Sequence, residues 1–176
     1  MTRTAAREVA VRLVYTMNAN ECEPEQLLDG FFESEYFSTL EGEDELYKER
    51  PDEKQMEYIR RLVNLCYLHN YEFSGYMGRY SRGWKPERIS STAAAIIRCA
   101  MCEVLYMEDV PNSAAINEAV ELAKSYDEPE TAAFVNGVLG GFMRGEGFSA
   151  DLPEEFPETA CEMPEEAADE GAPVEE

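Results

Sequence analysis

Two short apolar segments carry the polar side chains whose types and spacing could do chemistry: residues 115–124 (AINEAVELAK) and 134–139 (FVNGVL). In the first, Asn117, Glu121 and Lys124 recur at i, i+4 and i+7 and share one helical face. In the second, Asn136 and Gly137 interrupt an apolar pattern where packing alone favours Ala or Leu. Amide, carboxylate and ammonium groups of this kind hydrogen-bond and carry charge, but none is a nucleophile. Catalytic alternatives are few. His69 stands in LCYLHNYEF with no nucleophile at a motif spacing, and reads as a helix-surface or interface residue. Cys99 and Cys102 form a C-x-x-C without a second pair, inside the helical run IIRCAMCEVLY, and read as small core residues. P-loop, G-x-G-x-x-G and H-E-x-x-H motifs are missing. No enzyme, metal or cofactor is expected.

The elements that hold these groups are helical throughout. Ile116, Ala119, Val120 and Ala123 fall at i, i+3, i+4 and i+7, and Val135, Val138, Leu139 and Phe142 repeat the stripe. Ala6, Val9, Ala10, Leu13, Val14 and Met17 predict a first helix over about residues 3–19, and Pro24 opens a second through about Phe37. Residues 38–50 read as an acidic loop. Pro51 suits the first turn of a helix continued by Ile59, Leu62, Val63 and Cys66, with a Tyr-rich extension or restart to residue 80. Gly83 and Pro86 mark a break, and Ser90 caps the helix of Ile96, Ile97, Ala100, Met101, Val104 and Leu105. Asn112 or Ser113 caps the next helix, and Asp127 with Glu130 starts the last one, with Pro129 inside its first turn. The expected fold is all-α, a compact bundle of about seven helices in two subdomains. Residues 1–148 form the helical domain, and 149–176 an acidic tail too poor in large apolar residues to order itself.

Charge is unevenly spread. The formal net charge is −22, yet residues 151–176 hold eleven acids and no Lys or Arg, and residues 21–57 hold fourteen acids against three bases. Residues 1–20 are net +2, and residues 58–150 nearly balanced. Such a chain repels nucleic acid at long range, so any such binding must use a local basic patch. The five cysteines and the short, charged N-terminus imply reduced thiols in the cytosol, with neither secretory signal nor membrane span.

In order along the chain, AREVAVRLVY, the segment 84–88, IIRCAMCEVLY, Pro111, AINEAVELAK and FVNGVL resemble the transcription antitermination factor NusB family over about residues 3–145. The same helical domain is similar to the N-terminal part of certain rRNA cytosine methyltransferases, whose long catalytic domain has no counterpart here. The resemblance implies an all-helical protein that binds RNA without catalysis. It implies pairing with the ribosomal protein NusE, recognition of single-stranded boxA RNA in rRNA leaders, and assembly with RNA polymerase and other Nus factors in the cytoplasm. Arg side chains would hold phosphates, while an aromatic and amides would meet unstacked bases.

Residue by residue, Arg3 and Arg7 match the family's N-terminal arginine motif, with a solubilising helix flank as the alternative. Arg12 pairs more naturally with Glu8, four residues before it. Phe134 is either a stacking platform or a core residue. Asn136 either contacts RNA or caps a neighbouring helix, and Lys124 either meets phosphate or engages Glu121. Asn117 and Glu118 divide between interhelical hydrogen bonding and base contact. Glu103 and Tyr106 are expected to meet the basic NusE partner. Compared with the family pattern this chain has fewer bases, with Thr4, Ala5 and Ala6 between its first two Arg and Ala132 and Ala133 before Phe134. RNA affinity is therefore expected to depend on NusE. A protein-only interaction module, or a homodimer with a decayed RNA face, is the second reading.

Overall fold

A computed structural model describes residues 1–81, 83, 89–126 and 129–152, the side chains of Pro129 and Glu130 excepted. Among these residues there are eight α-helices and no strand: α1 (Arg3–Asn20), α2 (Pro24–Phe32), α3 (Ser34–Leu40), α4 (Glu53–Leu68), α5 (Asn70–Tyr80), α6 (Ser91–Tyr106), α7 (Asn112–Tyr126) and α8 (Pro129–Gly145). The all-α expectation holds.

The helix expected over residues 24–37 is two. Glu33 adopts an extended backbone (φ −55°, ψ 134°) between α2 and α3. The reason is that Phe32 and Phe37 are both buried, with stacked rings 5.9 Å apart. Five residues apart on one helix they would point about 140° from each other, so the chain breaks to bring both inward. Arg50 donates to the Phe32 carbonyl, satisfying one of the acceptors that end α2, and its guanidinium lies 5.0 Å from the Phe37 ring centre.

Other boundaries follow local hydrogen bonding. Thr2 caps α1, its hydroxyl accepting from the Ala5 N–H at 3.1 Å. Pro51 lies outside α4. Asp52 is the cap, forming a reciprocal box with Gln55 in which both bonds are 2.9 Å. Ser90 caps α6 as expected, accepting from the Ala93 N–H at 3.0 Å. The start of α7 departs from expectation. Asn112 is already helical, and the Pro111 carbonyl accepts the first helical N–H bonds. α8 begins at Pro129, in its expected first turn, while the Asp127–Glu130 capping pair, the 84–88 segment and the tail beyond residue 152 lie outside what is described.

α1 and α6 form the centre. α1 packs on α2, α4 and α6; α6 packs on α1, α4, α5, α7 and α8. α6 is buried nearly all round, from Ala93 through Val104, which accounts for its continuous apolar run. The two sides of the bundle thus share one continuous core. Cys99 and Cys102 lie in it as expected, joined by Cys66 from α4, whose thiol burial pushes well above its ordinary value. None of the described helices is long and apolar enough to cross a membrane.

Candidate nucleic-acid and partner interface

Arg7 sits on the inner side of α1, not on its solvent face. Its spacing to Ala10, Val11 and Val14 is i+3, i+4 and i+7, and all four residues are buried. Its guanidinium grips Glu103 of α6 side-on: Nε donates to Oε2 at 2.9 Å and Nη2 to Oε1 at 2.9 Å. The Tyr58 hydroxyl of α4 donates to the same Oε1 at 2.7 Å, and Nη1 reaches Glu118 of α7 at 3.3 Å. Burial works against the Arg7 charge, but the bonds to Glu103 outweigh it and hold the group firmly protonated. Burial, with the adjacent Glu103 carboxylate, pushes the Tyr58 hydroxyl far above its ordinary value, keeping it a donor.

Two expected assignments change here. Arg7 is 5% exposed with its donors directed at carboxylates, so in this arrangement it is an internal tie and not a phosphate contact. Glu103 is fully enclosed by Arg7 and Tyr58 and cannot present itself to a protein partner. The sequence held a signal for both. Glu103 follows Ile96, Cys99 and Ala100 by 7, 4 and 3 residues, on the buried side of α6.

Arg3 remains at the surface, its side chain half-exposed. It stacks 4.4 Å from the Tyr58 ring centre and pairs loosely with Asp109 at 3.4 Å, an acid shared with Arg61. Asn117 is exposed, as is Lys124, which pairs with Glu121 at 2.6 Å. Such exposed pairs are worth little and exchange easily for another anion. Glu118 is half-buried and directed at Arg7. Phe134 is 2% exposed, a core residue in this arrangement and not a stacking platform, while Asn136 beside it is half-buried. The start of α1 and the middle of α7 flank a small groove of about 190 Å³ containing Arg7, Glu8, Glu118 and Glu121. Its carboxylates turn a phosphate away from the groove floor.

Arg12 is held by the Glu8 carboxylate at 2.7 Å, as its spacing implied. It also reaches Asp44 at 2.8 Å, Tyr47 at 3.2 Å and the Tyr126 hydroxyl. The acidic segment after α3 is thereby fastened to α1 and to the end of α7. Tyr106 is half-buried. Its ring stacks on His69 at 4.0 Å and its hydroxyl donates to Glu72 at 2.5 Å, and burial together with that bond pushes its pKa up to about 12.

Two features had no counterpart in the sequence reading. One is Arg98, half-buried between α5 and α6. Its Nη2 donates to the Ser74 hydroxyl at 3.3 Å while its buried Nε has no hydrogen-bond partner. The other is an open apolar groove of about 710 Å³ between α1, α2 and α3, bordered by Tyr15, Leu27, Phe31, Tyr36, Leu40 and Thr92. Tyr15 and Tyr36 are exposed on its rim. Periodicity could not show it, because it forms where three helices meet.

The model of the NusB family matches residues 4–144. The transcription antitermination protein NusB of Symbiobacterium thermophilum is 36% identical over 145 residues, covering 82% of this chain and 91% of that protein. NusB of Alkaliphilus oremlandii is 35% identical, covering 84% and 96%. Among solved structures, T. maritima NusB superposes with a TM-score of 0.64 at 22% identity, covering 91% of this chain and 96% of that one. A chain in the crystal structure of a plectonemic RNA supercoil superposes with a TM-score of 0.66 at 21% identity, covering 85% and 99%.

Proposed function

This chain belongs to the NusB family, and from that premise we propose that it is a cytoplasmic, non-catalytic transcription antitermination factor. On this reading it binds boxA RNA together with NusE and joins RNA polymerase and other Nus factors. The observation that carries the two-component mechanism is the state of the cations. Arg3, Arg7, Arg12 and Lys124 all stand against carboxylates. Single-strand RNA affinity grows with each phosphate neutralised, and with Arg7 and Arg12 each held by two carboxylates only the exposed Arg3 and Lys124 of these four exchange easily. The chain alone therefore binds RNA weakly, and a basic partner supplies the missing charge.

The groove between α1, α2 and α3 supports a place for that partner. It is open and apolar, rimmed by exposed tyrosines, and set beside the acidic 21–57 region. A basic ribosomal protein meets there both an apolar anchor site and an opposite field. RNA would then cross the outer edge of the α1–α7 groove, using Arg3, Lys124 and the amides of Asn117 and Asn136.

The same pairing of cations also favours a second reading, a protein-only module or homodimer without an RNA role. Ultraviolet crosslinking of boxA RNA to the chain–NusE complex separates them. The first reading expects RNA capture by the wild-type complex and its loss in Arg3→Glu, a substitution at an exposed site that leaves the fold intact. No crosslink in the wild-type complex would overturn the first reading.

A further inference from the structure

We propose that the corner where α4 meets α5 is a separate protein-docking surface, built for a positively charged segment bearing an apolar anchor. Three large apolar side chains stand together there in solvent: Leu68 is 73% exposed, Tyr71 94% and Tyr67 43%. They belong to one stretch of five residues, where α4 ends at Leu68 and α5 begins at Asn70. Isolated exposed apolar residues are ordinary on a soluble protein, but three within five residues, two of them lining a cleft, mark an interaction site. The cleft is present. It measures about 540 Å³ and is lined by Glu23, Pro24, Glu25, Gln26, Asn64, Tyr67 and Leu68.

Charge identifies the occupant. The Tyr67 hydroxyl donates to Glu23 at 2.6 Å, fixing that carboxylate on the cleft wall, and Glu25 lies two residues further along the same wall. Glu72 stands beside Tyr71 at the start of α5. The cation across α2 and α4, Arg60, is already engaged by Asp29 at 3.0 Å. The corner is thus apolar at its centre and anionic at its rim, where the start of α2 contributes Glu23 and Glu25 from the acidic 21–57 region. A nucleic acid is repelled by that rim. A second copy of the chain, related by a twofold axis, would set Glu23 and Glu25 against themselves. A protein segment with Leu or Phe between Lys or Arg residues matches both features. The corner is distinct from the α1–α3 groove assigned to NusE, with Gln26 of α2 between them bordering both.

The test uses the full chain and a labelled twelve-residue peptide of alternating Lys–Leu pairs, followed by fluorescence anisotropy. Leu68→Ser with Tyr71→Ser, both exposed and therefore neutral to folding, is expected to weaken binding about tenfold or more. Glu23→Gln with Glu25→Gln should weaken it and flatten its salt dependence. Tyr15→Ser, in the other groove, should leave it unchanged. Equal binding by the wild type and the Leu68/Tyr71 variant, loss of binding in Tyr15→Ser, or a wild-type chain that dimerises through this corner in sedimentation equilibrium would each overturn the proposal.

Discussion

Replacing Glu103 with Gln should be among the most damaging single changes in the protein, although it alters one atom of one side chain. Glu103 accepts two bonds from Arg7 at 2.9 Å and one from Tyr58 at 2.7 Å, all within the core. Gln retains one acceptor oxygen and turns an amide N–H₂ toward the guanidinium. Arg7 is then a buried cation whose remaining counter-charge is Glu118, at 3.3 Å and partly in solvent. Removing one partner of such a pair costs about 3–5 kcal/mol. For a domain of this size that corresponds to a fall in Tm of roughly 6–20 °C. The companion variant removes the whole network: Arg7→Met, Glu103→Leu and Tyr58→Phe together leave no buried charge or hydroxyl without a partner. Apolar replacements of this kind are often close to neutral, within about 1–2 kcal/mol. Urea unfolding followed by circular dichroism measures both. A loss below about 1 kcal/mol for Glu103→Gln, or a triple variant as unstable as the single one, would refute the role assigned to the network. The triple variant should also retain NusE-assisted RNA capture with an unchanged salt slope, because the Arg7 donors are directed at Glu103 and Glu118.

Other outcomes follow from the same geometry. Tyr15→Ser with Tyr36→Ser should weaken NusE binding at least about tenfold in calorimetry, with little change in Tm, since both residues stand on the groove rim in solvent. Gly145→Ala places a methyl group where the Tyr80 ring and hydroxyl lie, with ring carbons 2.6 Å away. Tyr80 must leave its 2.6 Å bond to Glu146, at a cost of about 1–3 kcal/mol by urea unfolding. The Leu46 N–H and Arg12 hold the Asp44 carboxyl below its ordinary value of 3.8. The unfolded chain therefore takes up this proton first as acid is added. Stabilisation by Asp44 is complete above that ordinary value and is lost as the pH falls through the lower folded one. Asp44→Asn should lower stability at neutral pH and make the acid limb of a stability–pH curve shallower.

What could be seen in the sequence was set by range. The stripes of α1, α6, α7 and α8 are local, and their periodicity placed those helices to within a few residues. The break at Glu33 depends on two phenylalanines competing for the same core, which a local pattern does not express. The fate of Arg7 depended on an acid 96 residues away. Its place on the apolar side of α1 was visible, but an arginine there reads as a flank until its partner is known. Phe134 shows the same limit, because its position on the stripe fitted core and platform equally. The exposed polar face of Asn117, Glu121 and Lys124 was fully legible, since it follows from spacing alone. The two surface clefts were not, because each is assembled from several helices whose relative packing a local pattern does not express.

Recognition of RNA by this chain only as half of a complex is the core of the proposed function. It is tested most directly by titrating labelled boxA RNA with the chain alone, and with the chain bound to NusE, from low to physiological salt. Weak, steeply salt-sensitive binding by the chain alone and tight binding by the pair at physiological salt are the expected results. Tight binding by the chain alone at that salt, or no gain on adding NusE, would contradict it.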